Sequence, residues 1–90
     1  MYYVYVLLSE VTGRFYVGQT QDLRDRLRRH NAGTQAATRP GWPWRLARAE
    51  RFGARGEACA REREIKAKKG RTWIEWLLTQ PGDCQNDVGA

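Results

Sequence analysis

The stretch Tyr16–Gly33, YVGQTQDLRDRLRRHNAG, combines the end of a strand, a glycine turn and an amphipathic helix. It predicts a helix over Leu23–His30 that has Thr20 or Asp22 as its N-cap. The segment Asn31–Gly33 ends this helix, because its glycine can adopt the left-handed conformation. The rest of the chain can be placed around this helix and the strand before it.

One face of this helix carries both apolar and chemically active side chains. Leu23 and Leu27 are four residues apart and mark the buried stripe, and Arg26 and His30 flank that stripe at the same spacing. The spacing points both polar groups toward the core. Two ordinary interpretations remain open: Arg26 can pair with Asp22, and a histidine near a helix C-terminus is favoured by the helix dipole.

Length and composition limit the classes of function. The chain has 90 residues, enough for one domain, and a net charge of +6, with far more arginine than lysine, which favours an anionic partner. Two cysteines are too few for a disulfide scaffold or a zinc site, so a cytoplasmic location is expected. The apolar N-terminus is too short for a signal peptide or a membrane span.

Three strands and two further helices make up the remaining elements. The pattern predicts strands over Tyr2–Leu8, Arg14–Gln19 and Arg45–Phe52, helices over Gly56–Lys69 and Arg71–Leu78, a single domain over 1–82 and a loose tail over 83–90. The first two strands form a hairpin. If its turn pairs odd with even positions, Tyr5, Tyr16 and Gly18 share one face, and the glycine leaves space beside the two phenols, although this register could slip by one residue.

A second candidate group lies on the predicted helix over Gly56–Lys69. Glu62 precedes Ile65 by three residues and so lies on the inward face, where a carboxylate is costly unless it is paired or bound to a metal. The plain alternative is an ion pair with Lys66. Glu64 has the same option with Lys68 but points outward, so it serves as an internal comparison.

The segment Thr34–Trp44, before the third predicted strand, is expected to be an irregular loop, and it contains two tryptophans and an arginine. Trp42 and Trp44 near Arg39 and Arg45 resemble a surface for base stacking and phosphate binding. Lys66 is a further candidate contact for nucleic acid. The alternative is that the aromatic rings fill the core beneath the loop.

Four segments of the chain, YVYVL, RFYVGQT, DLRDRLRRHNAG and AREREIKAKK, occur in the order found in the GIY-YIG nuclease superfamily. From Tyr2 to Pro81 the chain most closely resembles the small single-domain UPF0213, or YhbQ-like, bacterial proteins. The resemblance implies an α+β fold with a small three-stranded antiparallel sheet flanked by helices. It also implies a metal-dependent endonuclease that hydrolyses phosphodiester bonds in nucleic acid. The expected substrate is DNA, as for nucleases of DNA repair or recombination.

Two alternatives to this function are a nucleic-acid-binding module that keeps the fold without cutting, and a protein-interaction domain. A partner protein or a homodimer would compensate for the small surface of one domain.

The resemblance also implies a role for each site residue. Tyr5 matches the tyrosine that acts as general base or positions the water, for which its pKa would have to fall from about 10 under nearby cationic charge. Tyr16 and His30 would orient the water or that phenol and share the proton transfer. Arg26 matches the arginine that holds a phosphate oxygen, and Glu62 the glutamate that binds one Mg²⁺ or Mn²⁺ ion.

Three further positions relate to the family pattern. Gly18 matches the glycine of the second motif and shapes the site. Tyr3 stands where the first motif has its glycine. A late asparagine of some nucleases has no clear match, and Gln80 before Pro81 is the nearest candidate.

Overall fold

The computed structural model describes residues 1–33, 39–68 and 70–81; the predicted tail over 83–90 lies outside these ranges. Its elements are β1 (Tyr2–Ser9), β2 (Phe15–Thr20), α1 (Leu23–Asn31), a 3₁₀ turn (Arg39–Gly41), β3 (Trp44–Phe52), α2 (Arg55–Ala67) and α3 (Arg71–Leu78). The three strands form one antiparallel sheet in the order β2-β1-β3. This confirms the predicted α+β architecture. No helix within the described ranges is long and apolar enough to cross a membrane.

The register of the hairpin agrees with the predicted pairing of odd with even positions. Tyr5 lies opposite Gly18, and Leu7 lies opposite Tyr16. Since directly opposed residues of an antiparallel pair point to the same face, both phenols and the glycine share one face of the sheet.

The sheet separates two apolar clusters. The face toward α1 has a buried cluster formed by Tyr5, Leu7, Leu23, Trp44 and Ala49. The face toward α2 and α3 has a second cluster formed by Val4, Val6, Val17, Ala58, Ile65, Ile74 and Leu77. The central strand β1 contributes to both, which explains why its sequence is apolar at almost every position.

The loop prediction over 34–44 is wrong at its C-terminal end. Trp44 is the first residue of β3 and is only 8% exposed, so its ring belongs to the core and not to a stacking surface. A Cβ at Gly41 would lie 2.3 Å from this ring, so the close approach requires glycine there. The loop also contains the 3₁₀ turn, where no regular structure was predicted; residues 34–38 lie outside the described ranges.

An ion cluster is buried on the α2 face of the sheet. Arg48 and Glu50 on β3 are 6% and 9% exposed and pair at 2.7 Å, while Arg61 of α2 binds both oxygens of Glu50 at 2.7 and 3.0 Å. The Arg48 guanidinium also donates to the carbonyl oxygens of Leu77, Gln80 and Pro81. The cluster therefore joins β3, α2 and the end of α3.

Candidate active site

The candidate site lies at the edge strand β2, where Tyr5 crosses over Gly18. A Cβ at position 18 would be 2.6 Å from Tyr5 Oη and 3.2 Å from a ring carbon of Tyr16. No side chain can occupy that space while the phenols remain in place. The predicted role of Gly18 in shaping the site therefore has a direct geometric basis.

Helix α1 brings His30 against both tyrosines. The imidazole is 0% exposed, its Nε2 lies 3.0 Å from Tyr5 Oη in a hydrogen bond, and its ring is 5.0 Å from that of Tyr16 in an edge contact. Asn31 fixes this end of the helix, because its amide donates to the Trp44 carbonyl and accepts from the Trp44 N–H. The imidazole is thus held at a defined position.

The start of α1 places Arg26 beside the same phenol. Asp22 is the N-cap, since its carboxylate accepts the N–H of Asp25 at 3.0 Å. The alternative pairing of Arg26 with Asp22 is not observed, and Arg26 makes no ion pair with a described residue. The positive charge of its guanidinium acts on the Tyr5 phenol and opposes the rise in the pKa of that group.

Burial governs the protonation of the Tyr5–His30 pair. It raises the pKa of the Tyr5 phenol well above its usual value; Tyr16 and Glu62 add to this increase, and Arg26 only partly opposes it. The charge of Arg26 alone therefore does not produce the fall in the pKa of Tyr5 that a role as general base requires. Burial and the charge of Arg26 lower the pKa of His30, so at neutral pH both partners are uncharged.

Glu62 approaches the same edge from the α2 face of the sheet. Its side chain is 17% exposed, and its two oxygens bind the amide of Gln19 at 2.9 Å and the ammonium of Lys66 at 2.7 Å. The inward orientation and the alternative ion pair are therefore both present. Glu64 is 54% exposed and points outward as predicted, but it pairs with Arg61 and not with the expected lysine.

The donor set at Glu62 suits one hard cation. The described residues hold no group of three or more His, Cys, Asp or Glu side chains that could bind a metal ion. A single carboxylate satisfies Mg²⁺ or Mn²⁺ only when water and phosphate oxygens complete the coordination. The Lys66 ammonium pairs with one oxygen of this carboxylate, and because Lys66 is half-exposed it could turn into solvent when a divalent ion takes its place.

Gln19 and Arg55 are two polar residues at this edge that the sequence did not indicate as site residues. Gln19, next to Gly18, binds both Glu62 and the Cys59 sulfur. A cleft of about 320 Å³ at the end of β2 is lined by Tyr2, Gln19, Thr20, Gln21, Arg26 and Arg55. Two guanidinium groups on one cleft favour an anion. The alternation of side chains along β2 could have indicated Gln19, since it places that residue on the face opposite Gly18.

The remaining predicted contacts lie away from these groups. Trp42 is 55% exposed, Arg45 is exposed, and the exposed Arg39 donates to the Gly33 carbonyl at 3.0 Å. The side-chain amide of Gln80 donates to the Thr79 hydroxyl, and the Gln80 carbonyl accepts from Arg48. These contacts attach Gln80 to the end of α3 and to the buried ion cluster.

Comparison with known proteins places the chain in a family. Residues 1–75 match the GIY-YIG catalytic domain. A UPF0213 protein of Streptococcus pneumoniae is 41% identical over 76 residues, covering 83% of this chain and 76% of the relative. UPF0213 proteins of Halobacterium salinarum and Haloquadratum walsbyi are 40% and 42% identical over 67 residues, covering 73% and 72% of this chain and 86% and 75% of those relatives. No solved structure matches. The chain therefore belongs to the GIY-YIG family, and within it to the UPF0213 proteins.

Proposed function

We propose that this protein is a metal-dependent endonuclease that hydrolyses phosphodiester bonds in nucleic acid, with DNA as its substrate. The family is of the nuclease type, and the net charge of +6 suits a polyanion. The observation that carries the proposal is the buried hydrogen bond between Tyr5 and His30, formed beside Arg26. An uncharged phenol and imidazole in contact can transfer a proton without creating a buried charge on the phenol.

The proton of the attacking water leaves through this pair. Tyr5 Oη accepts a proton from water while its own proton passes to His30 Nε2, 3.0 Å away. A free phenolate would be costly, because burial raises the pKa of Tyr5. Tyr16 packs its ring edge against the imidazole and keeps it aligned with Tyr5.

The phosphate is held by the two arginines of the cleft at the end of β2. Arg26 and Arg55 can each donate two hydrogen bonds to non-bridging oxygens, and their charge stabilises the transition state. Glu62 would hold a divalent ion, which would neutralise charge on the phosphate and on the leaving oxygen. Gln19 orients the Glu62 carboxylate toward this edge.

The test is cleavage of labelled single-stranded, duplex and branched DNA and of RNA, each with Mg²⁺, Mn²⁺ or EDTA. We expect metal-dependent cutting that Glu62→Gln reduces by about a hundredfold or more. Glu64→Gln is the matched control, because Glu64 lies on the same helix in an exposed ion pair and should keep full activity. Salt-dependent binding that is unaffected by EDTA, without cutting, would instead indicate a non-catalytic binding module.

A further inference from the structure

A second and larger cleft lies between β2, the end of α2 and the start of α3. It has a volume of about 440 Å³ and is lined by Arg14, Phe15, Tyr16, Val17, Ile65, Lys66, Lys68, Gly70, Arg71 and Ile74. Its lining divides by chemistry into an apolar floor of Phe15, Val17, Ile65 and Ile74 and a rim of four cations. None of the roles assigned above requires this cleft.

Two of the four rim cations keep their charge available for a ligand, whereas Lys66 pairs with Glu62 and Arg71 also donates to the Gly13 carbonyl oxygen. The side chains of Arg14 and Lys68 form no ion pair with a described residue. Arg71 pairs with Glu75 at 3.2 Å and lies over the Phe15 ring at 4.8 Å. An apolar floor beneath several cations fits a ligand that has a flat ring and an anionic group.

The cleft is continuous with the candidate active site through two shared residues. Tyr16 lines the cleft and packs against His30, and Lys66 lines it while binding Glu62. Lys66 thus joins the Glu62 carboxylate to the cleft, so a nucleic-acid strand whose phosphate lies at Glu62 can extend into it.

We propose that this cleft is a nucleotide-binding subsite that holds one nucleotide adjacent to the scissile phosphate. The base lies on the apolar floor, and Arg14 and Lys68 bind the phosphate. The volume is within the range of small-molecule sites, roughly 300–1,000 Å³. An apolar peptide would cover the floor but leave Arg14 and Lys68 without an anionic partner, whereas a nucleotide provides both an apolar ring and an anion. This inference rests on the proposed function, because it assumes a strand bound at Glu62.

Blocking the cleft tests the proposal. Gly70 lines the cleft, its backbone is extended, and a Cβ there meets no atom within 4 Å, so Gly70→Leu adds bulk without strain. Gly53→Leu is the matched control, because Gly53 is equally open but does not line the cleft. The rim is tested by the double variant Arg14→Glu with Lys68→Glu. Its control is the double variant Arg24→Glu with Arg63→Glu, which changes the net charge by the same amount at exposed positions outside the cleft.

The measurement is cleavage of the preferred oligonucleotide with an abasic residue placed in turn at each position around the cut. We expect wild type and Gly53→Leu to lose about tenfold in kcat/KM at one position. Gly70→Leu and the rim variant should cut the intact substrate more slowly than wild type. In these variants, an abasic residue at the sensitive position should reduce kcat/KM no more than an abasic residue at a neighbouring position. If an abasic residue reduces the kcat/KM of the wild type equally at every position, the proposed subsite is wrong, whereas the proposed nuclease function is unaffected.

Binding without catalysis separates the two proposals. Titration with thymidine monophosphate should shift the amide NMR signals of Phe15, Val17 and Gly70, and inorganic phosphate should shift them less. Shifts without any nuclease activity would show that the cleft binds a nucleotide and would reject the proposed function. No shift at these amides, in wild type, would overturn the subsite.

Discussion

Tyr5 and Gly18 lie directly opposite each other on the first two strands, and the Tyr5 hydroxyl occupies the space that a side chain at position 18 would need. Gly18→Ala would place its Cβ 2.6 Å from Tyr5 Oη, so the phenol must move away from His30. We expect a loss of about 1–3 kcal/mol in the free energy of unfolding and a large loss of cleavage activity. Urea denaturation and the cleavage assay measure the two effects.

Gly56→Ala provides the comparison, because Gly56 lies in α2 and a Cβ added there would meet no atom within 4 Å outside its own helix. Alanine in a helix should raise the free energy of unfolding by about 0.5–1 kcal/mol and leave cleavage unchanged. Equal effects of the two substitutions would contradict the steric argument.

The stability of the protein should depend on pH through His30. The folded-state pKa of this group is lowered from 6.5, so below about pH 6.5 the unfolded chain takes up a proton before the folded protein does. The free energy of unfolding should therefore fall as the pH decreases, by at most about 1.4 kcal/mol per pH unit, until the folded-state pKa is reached. Urea denaturation between pH 7.5 and 5.5, about the usual pKa of His, measures this slope. His30→Asn should flatten it; an unchanged slope would assign the effect to another group.

Removing the charge of Glu50 should destabilise the fold strongly. Burial raises the pKa of this carboxyl, but hydrogen bonds from Arg61 and Arg48 outweigh burial and hold the pKa below its usual value. Glu50→Gln leaves the buried Arg48 without its anion, so we expect a loss of about 3–5 kcal/mol in the free energy of unfolding. Glu64→Gln removes an exposed ion pair and should cost at most about 1 kcal/mol. Similar losses in urea denaturation would show that the buried cluster contributes little.

The two tryptophans flanking Pro43 should behave differently. Trp44→Ala removes a ring that is 8% exposed and should cost about 3–5 kcal/mol in the free energy of unfolding. Trp42→Ala removes a ring that is 55% exposed and should change stability by less than about 0.5 kcal/mol. If Trp42 stacks on a base, the same substitution weakens nucleic-acid binding in a fluorescence anisotropy titration, by about tenfold. Unchanged binding would remove Trp42 from the interface.

Local spacing in the sequence was sufficient to predict the part of the candidate site that α1 and the hairpin provide. The period of α1 places Leu23, Arg26 and His30 on one side, and the alternation of the hairpin places Tyr5 with Gly18. Each relationship depends on residues that are close in sequence or paired across a short turn, so periodicity determines it.

Contacts between elements that are distant in sequence could not be predicted from periodicity. Gln19 binds Glu62 43 positions later, and Arg48 binds the carbonyl oxygen of Leu77 29 positions later. Charged residues within a strand pattern normally indicate a solvent-facing side, and only the packing of α2 and α3 shows that Arg48 and Glu50 are buried. The rise in the pKa of Tyr5 was likewise not predictable from spacing, since the burial of this phenol depends on the whole fold.

The position of β2 at the edge of the sheet has a consequence for when the protein can act. The phenols, the imidazole and Arg26 come from the first thirty residues and meet on one face, whereas Glu62 reaches the edge from the other face on α2. A chain that has folded only its hairpin and α1 lacks the Trp44 contacts that hold the His30 end of α1, and it lacks the Glu62 carboxylate. Under the proposed function, cutting therefore begins only when β3 and α2 have docked, so an emerging or partly opened chain should not cleave nucleic acid.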